Sequence, residues 1–111
     1  MTSRRHIRAI EHDAGRADIA AQIEASSTSR FPVFVDDLDH VIGILHVKDF
    51  FRVSHTDDPI YLTSLVLRLP TVICNTAAVV LLARFKDERV HAALVVNELG
   101  STIGLVTLDD I

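Results

Sequence analysis

The sequence predicts an α+β fold made of two copies of a β-α-β-β-α unit, packed through their sheets with pseudo-two-fold symmetry. Three observations predict it. First, residues 30–50 align on residues 91–111 without a gap, at a constant offset of 61. Val33 falls on Leu94, Val35 on Val96, Leu38 on Leu99, Ile42 on Ile103, Gly43 on Gly104 and Asp49 on Asp110. Upstream the match slips by one residue, so Ile19 meets Leu81 and Ile23 meets Phe85. Such self-similarity marks a repeated structural unit. Second, each copy alternates between the apolar spacing of strands and that of helices. Third, each copy closes on a short apolar run that turns directly into a helix: Gly-Ile-Leu-His-Val-Lys-Asp-Phe at 43–50 and Gly-Leu-Val-Thr-Leu-Asp-Asp-Ile at 104–111. One copy is too small to bury both faces of its sheet, so the two are expected to pack together.

Residues 5–10, with Ile7 and Ile10 apolar, are expected to form a short strand. His12-Asp13-Ala14-Gly15 reads as a turn, with Asp13 as a helix N-cap. Residues 17–26 have helical spacing, with Ile19, Ala20 and Ile23 on one face, and a serine-threonine run ends the helix. Residues 31–35 form an apolar strand, with Pro32 at its start, where a missing N–H costs least. A polar hairpin loop at 36–40 leads to the returning strand at 41–45 and a short helix at 47–53. Ser-His-Thr-Asp-Asp-Pro at 54–59 is the most polar stretch and the expected linker. An apolar segment at 61–69 is expected to be a connecting helix. The order then restarts with a strand at 71–74 and a helix capped by Asn75 or Thr76 that runs to Glu88. A strand at 92–96, a loop at 97–101, a strand at 103–106 and a helix opening at Thr107 complete the second copy. The expected divisions are a first motif at 1–53, a linker and connecting helix at 54–69, and a second motif at 70–111 that belongs to a longer chain.

Composition excludes several classes. With 49% hydrophobic and 23% charged residues among 111, the chain can build a core and is not a disordered segment. A formal net charge of −4 and scattered Lys and Arg argue against nucleic acid as a partner. No apolar run approaches the roughly 18 residues that span a bilayer, and no signal peptide is visible. The single cysteine, Cys74, allows no internal disulfide and is expected to be a plain buried thiol. The six histidines lack the paired spacing of a zinc set, and Asp36, Asp37 and Asp39 read as a solvated turn. Neither a nucleophile elbow nor a P-loop occurs, and Asp109 and Asp110, adjacent on a helix, make a poor acid–base pair. An enzyme is not expected.

The two strand-to-helix turns carry the chemistry. Each places a hydroxyl or imidazole (Thr107, His46) three residues before a carboxylate (Asp110, Asp49). Amides at a helix N-terminus can meet an anion. A carboxylate one turn further on can accept hydrogen bonds from the two hydroxyls of a ribose. Groups for phosphate and sugar at adjacent positions suggest a nucleotide. The competing reading is a plain helix cap, since Thr-x-x-Asp resembles a capping box.

Several segments together resemble the CBS (cystathionine-β-synthase) motif pairs, or Bateman modules, of the CorC/HlyC-type magnesium and cobalt efflux proteins, relatives of the CNNM transport mediators. They are Ser29-Arg30-Phe31-Pro32-Val33, Gly43-Ile44-Leu45-His46-Val47-Lys48-Asp49, Arg89-Val90-His91 and Gly104-Leu105-Val106-Thr107-Leu108-Asp109-Asp110-Ile111. Met1-Thr2-Ser3-Arg4 resembles the Met-Thr-Pro-Arg that opens the module there, with Ser3 in place of proline. The resemblance implies a homodimer of CBS modules that binds an adenine nucleotide, ATP or AMP, with Mg²⁺ accompanying ATP, in the cleft between the motifs. It implies that Thr107 and Asp110 hold ribose and phosphate and that Ser29, Arg30, Phe31 and Pro32 line the same cleft, Arg30 as a phosphate donor. Thr2 adds a further polar contact. His46 stands where the fuller motif has Thr, so His46 and Asp49 form a weaker second half-site, expected to be empty or weak. In the family the module lies on the cytoplasmic side of the membrane, behind a membrane transport domain that it regulates. The alternative is a purely structural dimerisation module with an empty cleft.

Overall fold

In a computed structural model, residues 2–54, 61–74 and 92–107 are described, Thr107 by its backbone only. The chain divides into two compact units. One is contiguous, Arg8–Arg68; the other joins Met1–Ile7 to Leu69–Ile111.

The contiguous unit begins with strand β2 (Ile10–Glu11), which lies parallel to β3 (Arg30–Val35) with Ile10 opposite Val33. Between them, helix α1 (Arg16–Glu24) buries Ile19 and Ile23, one turn apart on the same face. Strand β4 (Asp37–His46) returns antiparallel to β3, and helix α2 (Val47–Val53) follows at once. Ile10, Ile19, Ile23, Phe31, Val33, Leu45, Phe50 and Leu62 form one buried cluster, so α1, α2, the short helix that starts at Leu62 and all three strands share a core.

Several boundaries differ from the sequence expectation, each for a local reason. The turn after β3 is made by Asp36 alone, at φ 68, with Val35 opposite Asp37. Asp tolerates this left-handed conformation better than most side chains. Residues 37–40, expected in a loop, therefore already belong to β4, where Asp37 Oδ1 accepts from the Asp39 amide at 2.8 Å. The N-cap of α1 is Gly15, without a side-chain cap, rather than Asp13. The strand expected at 5–10 reduces to Ile10–Glu11, preceded by a 3-10 turn at Arg4–His6. The helix expected at 61–69 is only α3 (Leu62–Leu65). Beyond it the backbone extends, and Leu67 exchanges both hydrogen bonds with Ile44 of β4, at 2.8 and 2.9 Å. Gly43 permits this approach: a Cβ there would stand 2.6 Å from the Leu67 carbonyl oxygen.

In the discontinuous unit the sheet order is β1-β7-β6-β5. Strand β5 (Thr71–Ile73) lies parallel to β6 (Ala92–Val96), and β7 (Thr102–Thr107) returns antiparallel to β6. Every residue of β6 is buried, as its unbroken apolar run requires. Strand β1 (Thr2–Ser3) pairs antiparallel with the other edge of β7. The β6–β7 loop is held by Asn97, whose Oδ1 accepts from the Leu99 and Ser101 amides at 2.9 and 3.0 Å. Gly100 takes φ 86 there.

Cys74 is exposed, contrary to the buried thiol expected. The residue follows β5, an edge strand in which only Val72 is buried, so its apolar neighbours do not imply burial. The helices expected at 75–88 and from Thr107 onward lie outside the described residues.

Candidate functional site

Two of the sequence-derived site residues lie on paired strands, two register positions apart. Thr2, exposed on β1, stands opposite Leu105 of β7, and Thr107 is the last residue of that same strand. Thr107 lies two positions past Leu105, about 7 Å along a strand. Asp110 lies outside the described residues. Strand β1 has no buried residue, and the Arg4–His6 turn after it has none either. Arg4, which sequence reasoning left without a role, donates from Nη1 to the Thr102 carbonyl at 2.8 Å, joining the N-terminal segment to β7 a second time. Its signal was its place at the end of Met-Thr-Ser-Arg.

The remaining residues lie in the contiguous unit. Ser29 is exposed, and its carbonyl accepts from the Val47 amide at 2.9 Å, tying the start of β3 to the start of α2. Arg30 is half-buried and stands directly opposite His46 in the β3–β4 ladder. Opposed residues of an antiparallel pair share a face, so these two residues, assigned by resemblance to different half-sites, stand side by side on the ladder. Phe31 is 1% exposed and belongs to the core, and Pro32 is equally interior. Their part in this unit is to anchor the strand that opens at Arg30, directly after Ser29.

The groups of the second half-site already have partners. His46 is the N-cap of α2, its Nδ1 accepting from the Lys48 amide at 3.1 Å. Asp49 Oδ1 accepts from Arg52 Nη2 at 2.9 Å, an i,i+3 pair on one helix face. The capping reading thus describes His46 as it stands. Arg52 was legible only as helical spacing and was missed. A separate polar depression of about 460 Å³, lined by Glu11, Asp13, Asp18 and Gln22 among others, holds none of the expected site residues. No group of three metal-ligating side chains occurs among the described residues.

The CBS domain family model matches residues 3–56 and 68–111. The chain belongs to the CBS domain family. It is a CBS pair, and its α+β fold is that of solved CBS pairs. Over 112 aligned residues it is 36% identical to the magnesium and cobalt efflux protein CorC of Pasteurella multocida, covering 100% of this chain and 37% of that one. It is 39% identical to the CorC of Escherichia coli K12 over 87 residues, covering 78% of this chain and 30% of the relative. The pair therefore spans about a third of the length of these relatives. The CBS domain of a bacterial CNNM/CorC family Mg²⁺ transporter, solved in complex with ATP, matches at TM-score 0.92 and 35% identity, over 99% of this chain and 79% of that one. A CBS-domain pair with bound AMP from Klebsiella pneumoniae matches at 0.85 and 26%, over 99% and 89%. Among the described residues, no helix of this pair is long and apolar enough to cross a membrane.

Proposed function

We propose that this CBS pair is the regulatory, adenine-nucleotide-binding part of a CorC-type divalent-cation transport protein. The observation that carries the reading is the juxtaposition of Thr2 with the strand that ends at Thr107, in a chain that matches an ATP-bound CBS domain at TM-score 0.92. Thr107 and Asp110 hold ribose and phosphate, Thr2 adds a polar contact, and Ser29 and Arg30 complete the phosphate side while Phe31 and Pro32 fix their strand. ATP or AMP is the ligand, and Mg²⁺ enters as the counter-ion of ATP, moderating phosphate charge against an acidic chain. The module works as a homodimer on the cytoplasmic side of the membrane, attached to the transport domain of its own full-length protein. Nucleotide binding regulates transport only to the extent that it favours one dimer geometry over another. Its chemistry is binding rather than turnover.

Isothermal titration of ATP, with and without Mg²⁺, and of AMP tests the reading. Saturable binding that disappears in Asp110→Ala, with the fold retained, is the expected result. A folded dimer that takes up neither nucleotide would leave the second reading, a structural dimerisation module. What favours that alternative is the occupied state of His46 and Asp49, both engaged within α2.

A further inference from the structure

We infer that Arg4 is a positioning residue for nucleotide binding: it holds β1 on the edge of β7, and so holds Thr2 at the site. The inference rests on the nucleotide reading above and adds a residue and a mechanism to it.

The N-terminal segment is attached by little. Strand β1 is two residues long, with Thr2 opposite Leu105 and Ser3 opposite Gly104. Neither residue is buried, and none in the Arg4–His6 turn is. No apolar side chain in residues 2–6 can therefore hold the segment down by the hydrophobic effect. A two-residue ladder on an exposed edge is weak by itself. Arg4 supplies a second attachment with a charged donor, the Nη1 bond to the Thr102 carbonyl at 2.8 Å. That carbonyl lies two residues beyond the last residue of β7 paired to β1, and Thr102 itself is 1% exposed. The anchoring end is buried and the anchored end is not. Charge-assisted hydrogen bonds are stronger than neutral ones, so this contact adds substantially to what keeps the segment docked.

A segment held this way exchanges between docked and undocked forms. Only the docked form presents Thr2, so apparent affinity falls in proportion to the docked fraction. Reciprocity then requires the nucleotide to favour docking. Arg4 sets the balance without touching the ligand.

The test uses the whole chain, titrated with ATP and Mg²⁺, with amide hydrogen exchange of residues 2–6 measured in parallel. In the wild type, ATP should raise protection across that segment. Arg4→Ala should expose it without nucleotide and weaken ATP binding about tenfold, the scale of one charge-assisted hydrogen bond. Saturating ATP should restore its protection. Arg4→Lys, which keeps a charged donor, should recover part of the loss. In a Thr2→Val background Arg4→Ala should cost little more, which a general loss of stability would not reproduce. Unchanged affinity in Arg4→Ala, or unchanged exchange at residues 2–6, would overturn the inference while leaving the nucleotide reading intact. A folded wild type that does not bind ATP would remove the nucleotide reading, and the inference with it.

Discussion

Thr2 and Leu67 are counterparts. Thr2 stands opposite Leu105, Leu67 stands opposite Ile44, and Ile44 and Leu105 are equivalent in the repeat. Each half thus receives an extra extended segment on its last strand, but one brings a hydroxyl and the other an isobutyl group. On the proposed reading, the half-site around His46 has Leu67 where its twin has the hydroxyl of Thr2. Its imidazole and carboxylate are engaged within α2 as well.

The asymmetry predicts one nucleotide per chain. Asp110→Ala should abolish ATP binding in a titration, whereas Asp49→Ala should leave both stoichiometry and affinity unchanged. The Asp49–Arg52 pair is largely solvated on the arginine side, with Arg52 72% exposed. Its loss should cost at most about 0.5 kcal/mol of stability in a urea melt.

Gly43→Ala should break the Leu67 bridge. The new Cβ would meet the Leu67 carbonyl oxygen at 2.6 Å and Val66 Cβ at 2.9 Å, backbone and branch points that cannot swing aside. The expected loss is about 1–3 kcal/mol, read as a lower denaturation midpoint with an unchanged slope.

Phe31→Ala should be among the most damaging single changes to the contiguous unit. The ring is 1% exposed and belongs to the core cluster. Truncating a buried phenylalanine costs about 3–5 kcal/mol. Because Arg30 opens the same strand and Ser29 directly precedes it, ATP affinity should fall alongside stability.

Cys74 should react with a thiol reagent in the native state. It is exposed, so labelling should be complete without denaturant and should leave the thermal midpoint within about 3 °C of its starting value.

Much of the fold was written in the repeat. The parallel pairs Ile10 with Val33 and Thr71 with Leu94 stand at the same offset of 61 that the sequence shows. Apolar runs at residues 31–35 and 92–96 marked the central strands because burial on both faces leaves little room for polar residues. The hairpins were less legible. Val33 opposes Gly43, but its counterpart Leu94 opposes Leu105 rather than Gly104. Register follows the turn, and a lone left-handed Asp36 differs from the loop braced by Asn97. The extension at Leu67 was hidden because its apolar surroundings suit a helix equally well, and only pairing with β4 decides between them. At the site, Thr2 and Arg30 are named by the family resemblance alone, while the Arg4 contact joins positions 98 residues apart, which no local pattern encodes.

The discontinuous unit also imposes an order of events during synthesis. Its first segment, Met1–Ile7, is made ahead of the rest of the unit, and its partner strand β7 follows about a hundred residues later. At 5–20 residues per second this is a wait of about 5–20 s. The Arg8–Arg68 unit, whose sheet and core contacts all lie within one contiguous stretch, can form in that interval. Loop closure over such a separation is slow compared with local pairing. Docking of residues 1–7 therefore waits for β7.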